Sequence, residues 1–214
     1  MSNMLSRLLG KPFDKAIDKA FSGAEPHDEP PSSAAAPRIR VLMVCMGNIC
    51  RSPTAEAVLR HRLSQAGLAE HVLVDSAGTH AYHLGSPPDA RSAQAGEQRG
   101  YQLAHLQARK VQPQDYEAFD LLLAMDWDNL ALLEENCPTD LRKRLRRLSE
   151  FIPNSHPLAG SPVVPDPYYG GPAGFEHVLD LIEAATEGLV AHLQMRLAYL
   201  DKAEGAVRGQ SQVD

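Results

Sequence analysis

One short stretch constrains this chain more than all the rest: Val41-Leu42-Met43-Val44-Cys45-Met46-Gly47-Asn48-Ile49-Cys50-Arg51-Ser52-Pro53. The run Ile39–Val44 is apolar and rich in β-branched residues, which reads as a parallel-sheet strand buried on both faces. Gly47 lets the backbone turn tightly and aim N–H groups inward. Asn48 tolerates left-handed geometry, and its side chain can tie a loop together. Ser52-Pro53 reads as a helix start, with Ser52 near the cap and Pro53 in the first turn. A strand, a tight loop and a helix start thus follow one another. Five residues separate Cys45 from Arg51, so a nucleophile, a cradle of N–H groups and a fixed positive charge converge on one small space. A helix N-terminus favours anions, and the same field favours a thiolate at Cys45. Arg51 can grip two oxygens with its planar fork, which a lysine cannot do. Ser52 can donate a hydrogen bond to the sulfur. These are the parts needed to hold a phosphate dianion and attack its phosphorus.

The bare Cys-x5-Arg pattern is weaker than this constellation. Alone it also fits a buried structural cysteine beside a surface arginine. The preceding strand, Gly47-Asn48 and Ser52-Pro53 tip the balance. The loop lacks the GxxxxGK[ST] pattern, so it is not a nucleotide-binding Walker loop.

A second block lies far downstream, at Val164-Pro165-Asp166-Pro167-Tyr168-Tyr169-Gly170-Gly171. Prolines on both sides hold Asp166 in a stiff, extended loop. Phosphoryl transfer to a cysteine needs a general acid for the leaving oxygen, and an aspartic acid walled by tyrosines can serve. Taken alone, Asp166 reads more readily as the cap of the helix that follows.

Strand and helix candidates alternate, which indicates a parallel sheet flanked by helices. The strands are expected at Ile39–Val44, Val72–Ser76, Asp120–Ala124 and Arg147–Phe151. Helices are expected at Pro53–Ala66, Asp89–Gly100, Trp127–Cys137, Asp140–Arg144 and from Pro172 to near Leu200. The last carries an apolar stripe of Phe175, Val178, Leu179, Ile182, Leu189, Leu193, Leu197 and Leu200, which reads as core packing. The basic cluster Arg142, Lys143, Arg144, Arg146 and Arg147 reads as a solvated face.

Several blocks in order resemble the low-molecular-weight protein tyrosine phosphatases, bacterial type. They are the Cys45–Pro53 loop, Asp75-Ser76-Ala77-Gly78-Thr79, Gly85-Ser86-Pro87-Pro88-Asp89-Ala90-Arg91, Phe119–Asp126 with Asn129-Leu130, and Asp166–Gly171. The resemblance covers about residues 38 to 200 and implies an α/β fold: a four-stranded parallel sheet with helices on both faces and the phosphate-binding loop after the first strand. It implies a cysteine-dependent protein tyrosine phosphatase, a phosphoric monoester hydrolase working through a phosphocysteine intermediate without cofactor or metal. By the same resemblance Cys45 is the nucleophile, Arg51 the phosphate clamp and Asp166 the general acid. Met46, Gly47, Asn48, Ile49, Cys50, Ser52 and Ser76 form and brace the phosphate loop. Asn48 and Ser76 make the bracing pair, and Cys50 is the neighbour that can form a protective disulfide with Cys45. Tyr82 and Tyr168 wall the substrate ring. The implied partners are phosphotyrosine proteins, with a bacterial tyrosine kinase suggested by analogy.

One departure stands out. The family pattern His-x-Ala-Arg is one residue longer here, His105-Leu106-Gln107-Ala108-Arg109, which leaves His105 outside the expected site. Asp126 follows a buried strand at the edge where sites form, and also reads as a helix cap.

Three rival readings of the same parts remain. A protein-arginine phosphatase would carry threonine where Ile49 stands. An arsenate reductase needs further cysteines, and Cys137 is the only distant one. A non-catalytic phosphate-binding module would have lost the cysteine or the acid, and both are present.

The net charge of −6 argues against general nucleic-acid binding. Three cysteines make no disulfide framework, which points to a reducing, cytoplasmic setting. No apolar run approaches a membrane span. The nine histidines show no HExxH pattern, and His80 and His83 read as solvated loop residues. The expected organisation is an N-terminal extension at 1–37, the phosphatase domain at 38–200 and a C-terminal tail at 201–214. In the extension, residues 4–21 carry an apolar stripe with lysines nearby, which reads either as a docking helix for a membrane surface or partner or as a disordered tail. Glu25–Pro37 reads as a flexible linker.

Overall fold

A computed structural model of the chain describes residues 36–210. The expected docking helix at 4–21, nearly all of the linker and residues 211–214 lie outside the described residues. The strands are β1 (Ile39–Cys45), β2 (Val72–Gly78), β3 (Leu121–Ala124) and β4 (Leu145–Arg147). The helices are α1 (Arg51–Gln65), α2 (Ala90–Gln98), α3 (Asp115–Ala118), α4 (Trp127–Asn136) and α5 (Pro172–Gln210). All strand pairs are parallel, in the order β2-β1-β3-β4.

The continuous apolar run of β1 is explained by burial on both faces. Ile39, Val41, Met43 and Cys45 enter one core layer, against α1, α2 and α5. Leu42 and Val44 enter a second layer, with Tyr116 of α3 and Leu133 of α4. β3 alternates the same way: Leu121 and Leu123 face the first layer, Leu122 and Ala124 the second. Because β1 lies between β2 and β3, the chain crosses to opposite sides of β1 after leaving it. This opens a crevice at the carboxyl ends of β1 and β3, where open α/β sheets bind ligands.

Four local expectations differ from what is seen. The fourth strand is Leu145–Arg147, and Leu148–Phe151 is a 3-10 turn. Leu148 and Phe151 are three residues apart, so a 3-10 turn places both in the first core layer. Thr139–Arg144 likewise forms a 3-10 helix. The last helix continues past Leu200 to Gln210, and Arg38 pairs there with Asp201 and, at 2.9 Å, with Glu204. The basic cluster is not simply a solvated face. Arg144 donates to the carbonyls of Tyr116, Glu117 and Phe119 at 3.2, 2.9 and 3.0 Å. Arg147 lies over the Trp127 ring at 3.7 Å. No helix among the described residues is long and apolar enough to cross a membrane.

Candidate active site

The loop Met46–Cys50 joins β1 to α1. Asn48 is the only non-glycine with positive φ among the described residues, at 56°. Its side chain meets the requirement locally. Nδ2 donates to Ser52 Oγ and Ser76 Oγ, both at 2.9 Å, and Oδ1 accepts the Arg109 N–H at 2.8 Å. The Arg109 guanidinium is anchored in turn on Asp75 at 2.8 Å and Asp115 at 2.9 Å. Glu56, buried on α1, faces Ser76 and Arg60. Burial pushes its carboxyl up, against the pull of both partners.

The helix start differs from the sequence reading. Cys50 occupies the cap position, with no side-chain hydrogen bond there, and Ser52 lies inside the first turn. The Ser52 hydroxyl sits 3.1 Å from Cys45 Sγ and 3.3 Å from the Ala77 carbonyl. Among the described residues, the N–H groups of Gly47, Asn48, Ile49 and Cys50 find no acceptor. Four free donors beside an uncapped helix N-terminus make a ready anion cradle.

Arg51 is 2% exposed. Its guanidinium donates to Asp126 Oδ2 at 2.5 Å, the Val164 carbonyl at 3.1 Å and Asp166 Oδ2 at 2.9 Å. Burial works against its charge, but Cys45, Asp126 and Asp166 outweigh that and hold its pKa above the ordinary value. Asp126 performs both tasks suggested for it. Oδ2 meets Arg51, while Oδ1 accepts the Asn129 N–H at 2.7 Å and caps α4.

A cleft of about 260 Å³ opens over this loop. Cys45, Met46, Gly47, Ile49, Cys50, Arg51 and Asp166 line its floor and sides, with Tyr82, Tyr168 and Tyr169 among its walls. Asn48, Ser52 and Ser76 stand behind the loop and line no part of the cleft. Tyr82 stacks on His80 at 5.1 Å, and Tyr168 meets Tyr169 edge-on. Asp166 Oδ1 accepts the Tyr168 N–H at 3.0 Å. Burial pushes the Cys50 thiol up to about 12.

The structure thus gathers every residue the sequence singled out, although their chain positions run from 45 to 168. It adds Asp126 as a partner of Arg51, Arg109 as the brace of Asn48, and His83 and Tyr169 as lining. A Cβ on Gly47 would lie 2.9 Å from the His83 ring, so that ring rests directly on the loop. His105 is exposed and takes no part. No group of three or more His, Cys, Asp or Glu among the described residues could hold a metal ion.

Comparison with known proteins places this geometry in context. Residues 40–198 match the family model described as low molecular weight phosphotyrosine protein phosphatase. A low molecular weight protein-tyrosine-phosphatase of Streptomyces coelicolor is 44% identical over 154 residues, which span 71% of this chain and 92% of the relative. A protein tyrosine phosphatase from Entamoeba histolytica, crystallised with Hepes in its active site, is similar at TM-score 0.69 and 39% identity, over 73% of this chain and 97% of that one. Wzb of Vibrio vulnificus, solved in complex with benzylphosphonate, is similar at TM-score 0.63 and 26% identity, over 72% and 99%.

Proposed function

We propose that this chain, which belongs to the low molecular weight phosphotyrosine protein phosphatase family, hydrolyses phosphotyrosine in proteins through a phosphocysteine intermediate on Cys45. The observation that carries the reading is the shared cleft. Cys45, Arg51 and Asp166 face one space, and four N–H groups of the loop are left free there.

These positions support the following chemistry. Substrate enters as a phosphate dianion on a phenol. The arriving oxygens take over Arg51 from Asp166, which frees that carboxyl to turn toward the leaving oxygen. The loop N–H groups and the Arg51 fork hold the three equatorial oxygens and the charge that develops on them. The Cys45 thiolate attacks phosphorus in line. The S–P bond forms as the P–O bond to the phenol breaks, and Asp166 gives its proton to the departing oxygen. In the second step water attacks phosphorus, Asp166 takes a proton from that water, and the S–P bond breaks. Sulfur then leaves as a thiolate beside the Ser52 hydroxyl at 3.1 Å.

The cleft wall supports a substrate class. Ile49 presents a branched apolar side chain, and Tyr82 and Tyr168 offer ring faces. A phenol ring loses little by desolvation here. A guanidinium set against Ile49 would lose water from N–H donors that this apolar side chain cannot accept from. The binding of benzylphosphonate, an aromatic ring one methylene away from a tetrahedral phosphorus, by the relative Wzb supports an aromatic phosphoester. The sequence resemblance also suggests a bacterial tyrosine kinase among the substrates.

The test is turnover of phosphotyrosine, phosphoserine and phosphoarginine peptides by one purified sample, with rapid acid quench to trap labelled phosphocysteine. Phosphotyrosine should dominate, label should map to Cys45, and Cys45→Ser should bind phosphate without turnover. Asp166→Asn should lower kcat/KM steeply for poor leaving groups and little for activated aryl phosphates. Residual turnover by Cys45→Ser above a few per cent would end the covalent reading. Phosphoarginine hydrolysed as efficiently as phosphotyrosine would end the substrate reading.

A further inference from the structure

The block Pro87-Pro88-Asp89-Ala90-Arg91 stands out in the sequence, yet no chemical step uses it. In the fold it lies between the two loops that carry the reacting groups. Asp89 precedes α2 and caps it, its Oδ1 accepting the Arg91 N–H at 2.8 Å. The Asp89 N–H donates to the Ile49 carbonyl at 2.7 Å, which fastens this corner to the phosphate loop.

Arg91 reaches the other way. Nε and Nη2 form a two-pronged grip on the Asp89 carboxylate, at 3.0 and 2.8 Å. That pairing pulls Asp89 below its usual carboxylate range. Nη1 donates to the Tyr168 carbonyl at 3.0 Å. The guanidinium lies over the Phe175 ring at 4.6 Å and near the Tyr168 ring at 5.4 Å. Tyr168 in turn gives its N–H to Asp166 Oδ1 at 3.0 Å. Asp166 Oδ2 meets Arg51 at 2.9 Å, back at the phosphate loop. The contacts close a ring: Ile49, Asp89, Arg91, Tyr168, Asp166, Arg51.

We infer that Asp89 and Arg91 form a positioning bracket that sets the Asp166 loop in register with the phosphate loop, so that the proton donor stands at the leaving oxygen. The inference rests on the reading of Asp166 as that donor. Stability alone does not explain the arrangement. The Arg91 side chain is 44% exposed, and exposed ion pairs contribute little to folding. The geometry is nevertheless one that only a planar fork satisfies. It binds a carboxylate with two donors, a carbonyl with a third and a ring with its face. No other side chain among the described residues donates to the main chain of Tyr168. Val164 N–H on the Met125 carbonyl, at 2.8 Å, holds the loop before Asp166, and Arg91 holds it after, at Tyr168. Without Arg91, Asp166 keeps its local turn and the tie before it but loses the tie after it, and it is this second tie that remains there when substrate takes Arg51 away from Asp166.

The test compares wild type, Arg91→Gln, Arg91→Lys, Asp166→Asn and the double variant Arg91→Gln/Asp166→Asn. Each is assayed for kcat/KM on phenyl, 4-nitrophenyl and 2,4-dinitrophenyl phosphate and for inhibition by inorganic phosphate. Misplacement of a catalytic group by about 1 Å costs on the order of a hundredfold, so Arg91→Gln should lose roughly tenfold to a hundredfold on phenyl phosphate. On 2,4-dinitrophenyl phosphate, whose leaving group needs little proton transfer, the loss should stay within about threefold. Phosphate inhibition should change little, because the cradle is untouched. Arg91→Lys should fall between, since an ammonium cannot serve carboxylate and carbonyl together. The double variant should be no slower on phenyl phosphate than Asp166→Asn. Three results would overturn the bracket: wild-type rates in Arg91→Gln, an equal loss across all three substrates, or multiplied losses in the double variant. A flat loss in Asp166→Asn itself would instead overturn the assignment of the donor, whatever Arg91 does.

Discussion

Gly78→Ala tests how closely the phosphate loop is built against the strand beneath it. Gly78 ends β2 and pairs in register with Cys45. Its φ is not positive, so an alanine backbone can adopt the conformation and the only objection is space. A Cβ there would stand 2.7 Å from the Met46 carbonyl oxygen, 3.1 Å from Gly47 C and 3.1 Å from the His80 carbonyl oxygen. All three are main-chain atoms, and none is free to swing. The Met46 carbonyl accepts the His80 N–H at 2.9 Å, and the Cys45 carbonyl accepts Thr79 N–H at 2.9 Å. Gly78 cannot retreat either, because its N–H donates to the Arg109 carbonyl at 2.8 Å and its carbonyl accepts Val111 N–H at 2.9 Å. Relief therefore means moving Met46 and Gly47 by roughly half an ångström, toward ordinary van der Waals separation. Since about 1 Å of misplacement costs on the order of a hundredfold, kcat/KM should fall by about tenfold or more. Overpacking of this kind costs about 1–3 kcal/mol, or roughly 2–12 °C in Tm at this chain length. The assay is kcat/KM on an aryl phosphate, inhibition by phosphate, and thermal unfolding. Phosphate should bind more weakly, because the cradle itself moves. Gly205→Ala, on α5 with nothing within 4 Å, is the control and should leave the kinetics alone. Wild-type kcat/KM and phosphate affinity in Gly78→Ala would refute the argument that this close approach sets the loop.

The two oxygens of Asp126 can be separated. Asp126→Ser keeps an acceptor for the α4 cap and removes the carboxylate from Arg51, so kcat/KM should drop about tenfold or more; Asp126→Ala should share that drop and lose about 1 kcal/mol more stability. A Ser variant with wild-type kcat/KM would confine Asp126 to capping. Peroxide should act first on Cys45, because burial holds the Cys50 thiol up near 12 and protonated at neutral pH. Sulfenic acid at Cys45 would then condense with the Cys50 thiol, releasing water and forming a disulfide that added thiol reverses. Mass spectrometry showing only sulfonic acid at Cys45, with no Cys45–Cys50 peptide, would rule out this protection.

Much of the fold was legible because its signals are local. The β1 run is apolar at consecutive positions because both of its faces are buried, and no exposed strand or amphipathic helix gives that pattern. β4 was misplaced for an equally physical reason. It is a three-residue edge strand with two arginines, and charge on an edge strand guards it against mispairing. The apolar Leu148 and Phe151 beside it look more like a strand, but their spacing belongs to a 3-10 turn. α3 has four residues, too few for any periodicity. Beyond Leu200, α5 runs on through Asp201, Lys202, Ala203 and Glu204 to Gln210, over helix-compatible residues without an apolar stripe.

The site divides along the same line. Cys45, Asn48, Arg51 and Ser52 were legible because strand, loop and helix start are contiguous. Of their supports, Ser76 came with the family resemblance and does meet Asn48, at 2.9 Å; the others were not legible. Asn48 is braced by the main-chain N–H of Arg109, a donor any residue but proline supplies, so side-chain identity around His105 carried no information about it. Asp126 offered two readings, and the fold gives one carboxylate oxygen to each. His83 looked like a loop residue and is one, yet its ring rests on Gly47. The bracket shows the limit most clearly. Arg91 and Tyr168 are 77 residues apart, and Arg51 and Asp166 are 115 apart. A closed ring of hydrogen bonds has no sequence period, because its members share no element. What the sequence does carry is residue chemistry: an arginine two places after an aspartate. The ring that it lies over, Phe175, and the carbonyl that it holds, Tyr168, are both remote in the chain, so its function becomes readable only once the topology brings the phosphate loop and the Asp166 loop to the same end of the sheet.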